Sequence, residues 1–209
     1  MKLAIFGGTG RTGQYLVTHA LEAGYNVIAL ARTPSKLVID DDRLTIVHGD
    51  VTDRQKVEET VANTDAVISV LGPTANKPDY MVSQGMQHIV TAMDQHGIKR
   101  LVVSAGAGVA DPNDEPKLIN KFFGFIVRMF SRYVYEDMVR TVESVRQSDL
   151  DWTLVRVPML TDDPATGDVK VAYVGKGMGS RLSRSDLATF MLKQVKDQTY
   201  LHQAPAISN

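Results

Sequence analysis

The sequence predicts an α/β fold: a doubly wound parallel sheet in a single domain spanning residues 1–209. Three observations carry this. Short apolar runs alternate with helix-spaced segments, the order that builds parallel strands joined by crossover helices. A glycine-rich turn, Gly7-Gly-Thr-Gly-Arg-Thr-Gly13, joins the first run to the first helical segment. Small or polar residues then follow each later run, where the carboxyl end of a strand would lie.

The first run, residues 3–6 (LAIF), reads as a buried strand. Residues 12–23 resume with Leu16, Val17, Ala20 and Leu21 on one helical face. The turn between them fits G-x-G-x-x-G from Gly8, through Gly10, to Gly13. In that pattern an early glycine makes the turn, the next lets backbone approach a diphosphate, and the last lets helix and strand pack closely. The amides and positive dipole end of the helix then face the phosphates. The glycine turn and the helix start behind it are accordingly where a diphosphate is expected.

Residues 27–31 form the second strand, and Arg32 follows at once. An NAD site usually presents an acidic residue here to the ribose 2′-hydroxyl. A guanidinium suits a 2′-phosphate instead, through paired charge-assisted bonds. Arg32, with Ser35 and Lys36 behind it, therefore favours NADP(H) over NAD as the cofactor. The third strand, residues 44–47, ends in His48-Gly-Asp-Val51, and Thr52 or Asp53 caps a helix running to about Val61. Asp50 reads either as an acceptor for the adenine amino group or as a plain turn residue.

Residues 66–71 are the fourth strand, closed by Gly72-Pro73; a turn-rich loop leads to a long helix over 80–96. His88 and His96, eight apart on it, read as ordinary surface histidines, and no metal is expected. Residues 101–104 are the fifth strand, ending at Ser104. Right-handed crossovers bring all these carboxyl ends to one edge. Arg32, Asp50, Leu71, Gly72 and Ser104 should then line one groove with the glycine turn.

The second half changes character. Residues 118–130 are apolar and aromatic, 133–147 have helical spacing, and 152–157 form a sixth strand closed by Pro158. Residues 169–174 alternate as a short seventh, Ser183 to Asp186 cap a last helix over 187–195, and the final residues carry no clear pattern. Residues 109–135 and 158–182 are the expected walls of a small C-terminal substrate cleft.

Composition removes several function classes. Apolar content of 44% and charge of 22% suit a soluble globular protein, and the net charge of −1 offers no electrostatic footprint for nucleic acid. The chain has no cysteine, which excludes disulfides, thiolate metal sites and a cysteine nucleophile. The most apolar stretch, residues 122–130, is interrupted by Arg128 and is far shorter than the ~20 residues of a membrane span. A cytoplasmic protein with no membrane partner and no signal peptide is expected, a monomer or weak homodimer.

Gly7 to Gly13, Gly49-Asp-Val51, Leu71-Gly72, Val103-Ser104, Arg156-Val-Pro158 and Leu182-Ser-Arg-Ser-Asp-Leu-Ala188 together resemble the atypical short-chain dehydrogenase/reductase family, in its biliverdin reductase and flavin reductase branch. The resemblance runs over most of the chain in the same order. It implies a Rossmann-like domain binding NADPH, with diphosphate on Gly7 to Thr12 and 2′-phosphate on Arg32. It places adenine against Asp50 and Val51, the nicotinamide end by Leu71, Gly72 and Ser104, and the acceptor beside Pro158 and Met159. Relatives of the biliverdin type often carry a second serine where Gly106 stands, and some a histidine where Met159 stands.

Typical members of the superfamily use a Tyr-x-x-x-Lys pair to move a proton. No tyrosine here has a lysine four residues on. That weakens an alcohol dehydrogenase or sugar epimerase reading. It suits hydride transfer to a conjugated acceptor (a flavin such as FMN or riboflavin, a biliverdin-like tetrapyrrole, or a quinone), whose proton can come from water; no catalytic side chain is assigned. The alternative is an NADP(H)-binding redox sensor without turnover.

Overall fold

A computed structural model describes residues 1–116 and 129–209. The apolar segment expected over 118–130 lies, but for its last two residues, outside the described residues. The elements run β1 (Lys2–Phe6), α1 (Arg11–Glu22), β2 (Asn26–Ala31), a 3₁₀ turn (Pro34–Lys36), β3 (Leu44–His48), α2 (Arg54–Val61), β4 (Ala66–Ser69), α3 (Met81–Gln95) and β5 (Arg100–Gly106). There follow α4 (Arg132–Arg146), β6 (Asp151–Val157), β7 (Met159–Thr161), β8 (Lys170–Ala172), β9 (Arg181–Ser183), α5 (Arg184–Gln194) and β10 (Ala206–Ser208).

The main sheet has the order β3-β2-β1-β4-β5-β6-β10-β8. Its strands pair in parallel, except β8, which runs antiparallel to β10. Strand order reverses direction between β1 and β4, leaving a crevice at their carboxyl ends where α/β sheets bind ligands. A second, two-stranded sheet pairs β7 with β9.

Side chains that alternate along β1 explain the two helical layers. Leu3 and Ile5 pack with Leu16 and Val17 of α1 and with Leu187 and Met191 of α5. Ala4 and Phe6 face the other way, into Val57 of α2, Met86 and Ile89 of α3, and Val142 and Val145 of α4. The doubly wound parallel sheet expected from the sequence is what forms.

Several local expectations are corrected. β4 stops at Ser69, so Leu71 and Gly72 lie beyond it rather than closing it. β5 runs two residues past Ser104, which pairs with Val155 inside the sheet. β7, β9 and β10 were not foreseen, because three residues are too few for a periodicity to declare itself. Asp53, not Thr52, caps α2, accepting from Gln55 N and Lys56 N. Ser183 occupies the N-cap position of α5, but its Oγ donates to Asp163 O. Asp186 likewise serves the neighbouring loop, accepting from Thr166 N and Gly167 N. No helix among the described residues is long and apolar enough to cross a membrane.

Candidate functional site

The glycine turn is built so tightly that side chains are shut out. Gly7 has φ of +86°, and a Cβ there would come within 2.9 Å of Val70 O. A Cβ on Gly13 would overlap Gly7 O and the Gly8 Cα. Gly10 N donates to Gly7 O at 2.9 Å, which folds the turn onto itself and starts α1 at once. Gly10 is the N-cap residue of α1 and offers no side-chain acceptor, so the amides of the first turn receive no cap from it.

In front of this turn lies a groove with a cavity volume of about 160 Å³. Gly7, Thr9, Gly10, Arg32, Val51, Leu71 and Gly72 line it, whereas Asp50 and Ser104, expected in the same groove, are not among its lining residues. Met81 and Val82, from the first turn of α3, complete one wall with Leu30 and Phe6 behind them. One end is therefore polar backbone, the other an apolar slot with a cation at its mouth.

That cation is Arg32. Its Nε lies 3.7 Å from Asp50 Oδ2, and its Nη1 lies 3.7 Å from Met81 Sδ. The side chain is 54% exposed, so the guanidinium can reach an incoming anion. Asp50 Oδ1 accepts from Thr52 N and Thr52 Oγ1, at 2.9 and 2.8 Å. Burial acts to raise the Asp50 pKa, but the two Thr52 bonds and the Arg32 charge outweigh it and hold the carboxyl below its ordinary value. Oδ1 is thus taken up by the Asp50 turn itself, and Oδ2 is left toward Arg32. Val51 O is met by His88 Nδ1 at 3.1 Å.

Other expected residues lie around the groove rather than along its lining. Arg11 Nη1 contacts Asp162 Oδ2 at 3.0 Å, and Asp162 Oδ1 also takes Arg184 Nη1 at 2.7 Å. Thr12 sits in the first turn of α1. Ser35 and Lys36 are exposed on the 3₁₀ turn beyond Arg32. Ser104 is half-buried in β5. Pro158 joins β6 to β7, where Met159 is 57% exposed.

Two features escaped the sequence reading. Met81 and Val82 looked like ordinary helix residues, and only the crossing of α3 over the sheet edge brings them to the groove. The pairing of Arg156 with Asp114 was also invisible. Arg156, 1% exposed, holds both Asp114 oxygens at 2.7 Å and donates to Ala204 O and Val109 O. Asp114 also accepts from Val174 N, which ties the 109–116 and 173–175 segments to β6.

A glycine cradle closed to side chains and a helix start without a side-chain cap fit a diphosphate. An exposed arginine at the same groove fits a further phosphate. Among the described residues no cluster of three or more His, Asp or Glu is placed to hold a metal ion.

Known proteins similar to this chain include reductases and NAD(P)-binding folds. The chain is 28% identical to cinnamoyl-CoA reductase 1 of Petunia hybrida over 130 residues, 56% of this chain but only 39% of that relative's length. In solved structures, a wide-type short-chain dehydrogenase/reductase from Veillonella parvula in complex with NADP superposes with a TM-score of 0.83 at 20% identity. That match covers 100% of this chain and 94% of the other. ChuY, an anaerobillin reductase from Escherichia coli O157:H7, superposes with a TM-score of 0.81 at 17% identity, covering 100% and 97%. The model of a family described as NAD(P)H-binding matches residues 7–198. The chain belongs to that NAD(P)H-binding family.

Proposed function

We propose that this chain is an NADPH-dependent reductase that delivers hydride to a flat conjugated acceptor, a flavin or a biliverdin-like tetrapyrrole. The observation that carries the proposal is the sharing of one groove by the glycine cradle and Arg32. The match to a cinnamoyl-CoA reductase supports reductase chemistry, the NADP-bound neighbour supports the choice of cofactor, and ChuY supports a tetrapyrrole-like acceptor.

Each residue then has a task. The backbone of Gly7, Thr9, Gly10 and Thr12 holds the diphosphate, and Arg11 can join by leaving the exposed Asp162. Arg32 reads the 2′-phosphate, with Ser35 and Lys36 close by in the chain. Val51 packs against adenine and Asp50 orients Arg32. Leu71, Gly72 and Ser104 border the nicotinamide end. Pro158 and Met159 border the acceptor, where an apolar surface excludes water and holds two flat rings at contact distance. The cofactor, when bound, supplies the hydride. No side chain is required to move a proton in this reading, because a reduced flavin nitrogen can take one from water.

The test is NADPH oxidation followed at 340 nm with FMN, riboflavin and biliverdin. Oxidation well above the protein-free blank with any of them supports the proposal. NADPH binding without oxidation of any acceptor selects the second reading, an NADP(H)-binding redox sensor. The exposed Phe130 and Met159, 69% and 57% accessible, favour that reading as apolar surface for a protein partner.

A further inference from the structure

Two helix starts border the groove, and they are treated in opposite ways. α1 begins at a glycine with no side-chain cap. α3 also lacks a cap of its own, since its N-cap residue, Tyr80, makes no capping bond. Its first-turn amides are instead taken by Asp137 of α4: Val82 N donates to Oδ2 at 3.1 Å and Ser83 N to Oδ1 at 2.8 Å. Asp137 is only 4% exposed. A buried carboxylate there closes the α3 start to any anion and leaves α1 as the phosphate end.

The same region is held from both sides. Tyr80 has φ of +47°, an uncommon conformation for a bulky residue. Its hydroxyl donates to Glu136 Oε2 at 2.8 Å, and the Arg140 guanidinium lies 3.8 Å from its ring centre. In return, Asn76 Oδ1 accepts from Tyr133 N at 3.1 Å, at the start of α4. Residues 76–83 and the first half of α4 thus cap each other. Between them stands Met81, whose sulfur contacts Arg32 and whose side chain walls the groove.

We propose that Asp137 is a positioning residue of the nucleotide groove: by gripping the first turn of α3 it fixes Met81 and Val82 against the adenosine end of the ligand. The inference rests on the reading of the groove as an NADPH site. Asp137 touches no ligand and acts through the wall it holds. Its loss should therefore weaken the half of the nucleotide that lies on that wall.

The experiment is calorimetric titration of the whole protein with 2′,5′-ADP, for wild type, Asp137→Asn, Met81→Ala and the double variant, with a melting curve for each. Asparagine keeps the size of aspartate but offers one acceptor oxygen where two N–H groups need one each. Asp137→Asn should raise the Kd for 2′,5′-ADP about tenfold, the scale expected when a buried donor loses its acceptor. Met81→Ala should cost a similar factor, and adding Asp137→Asn to it should cost less than about twofold more, as for two residues acting through one wall. In wild type, saturating 2′,5′-ADP should slow hydrogen exchange at the Val82 and Ser83 amides, a readout that needs no variant to fold. Normal affinity in Asp137→Asn with only a lowered melting temperature overturns the inference and leaves the NADPH site standing. So does exchange at those two amides that the ligand leaves unchanged. A wild-type protein that binds no 2′,5′-ADP overturns the parent reading and this inference with it.

Discussion

Arg32 Nε and Asp50 Oδ2 face each other at 3.7 Å across the mouth of the groove, too far for a tight ion pair and close enough to aim the guanidinium. An incoming phosphate dianion would outcompete so loose a partner. Arg32→Glu is expected to weaken NADPH binding by about a hundredfold and NADH binding by less than about threefold, since charge-assisted bonds to phosphate are the ones lost. Fluorescence titration with both nucleotides measures the two losses. Equal losses would remove Arg32 from the role of phosphate reader.

Gly13 carries the tightest contact of the turn. Gly13→Ala would press a methyl group into Gly7 O and the Gly8 Cα. Overpacking of this kind costs about 1–3 kcal/mol, so a melting temperature lower by several degrees is expected, with nucleotide affinity reduced in parallel. Gly10→Ala is the control: its Cβ would meet only Gly7 O, at 3.2 Å, and the melting temperature should move much less.

The buried pair of Arg156 and Asp114 makes the fold sensitive to acid. Burial acts to raise the Asp114 pKa, but the Arg156 bonds and the amides of Asp111 and Val174 win and hold it below the ordinary value. A carboxyl lowered in the folded state contributes stability above its unfolded pKa of about 4 and loses that contribution as pH falls through the folded value. The melting temperature should therefore be level near neutrality and drop below about pH 4. Asp114→Ala should cost about 3–5 kcal/mol at neutral pH, because it strands a buried guanidinium, and should flatten the acid drop. Calorimetric melts from about pH 3 to 7 measure both.

Ser104 is half-buried in β5 and makes no side-chain hydrogen bond with another described residue. If the acceptor's proton comes from water, Ser104→Ala should lower the turnover number with FMN by less than about tenfold, whereas losing a true general acid costs 10²–10⁴. Steady-state rates at saturating NADPH decide this.

The parts of the fold legible in the sequence were those with enough residues to show a period. β1, α1, β2, α3 and β6 lie within a residue or two of where their apolar spacing put them. The glycine turn was legible because most of its chemistry is local: Gly10 and Gly13 press on Gly7 and Gly8 of the same turn, and only Gly7 meets a distant strand end, at Val70. Arg32 was legible by its distance from that turn. Asp137 was not, because beside Glu136 on an amphipathic helix it reads as a surface charge, and only the approach of α3 makes it a cap. Arg156 was quoted for its family resemblance, yet nothing near it in sequence names Asp114 as its partner 42 residues away. Propensity and spacing speak about neighbours in the chain, and these contacts are between strangers in it.

Arg156 also sets an order of events during synthesis. Its guanidinium needs the carbonyl of Ala204, and the strand beside its own backbone, β10, ends at Ser208. While residues 204–208 are still inside a ribosome, β6 has an open flank and a cation with an unmet donor. The sheet can therefore close, and the segments roped to Arg156 through Asp114 can settle, only after residues 204–208 have emerged. Until then the nascent chain presents β6 as a vacant edge, the kind of surface on which another strand can pair.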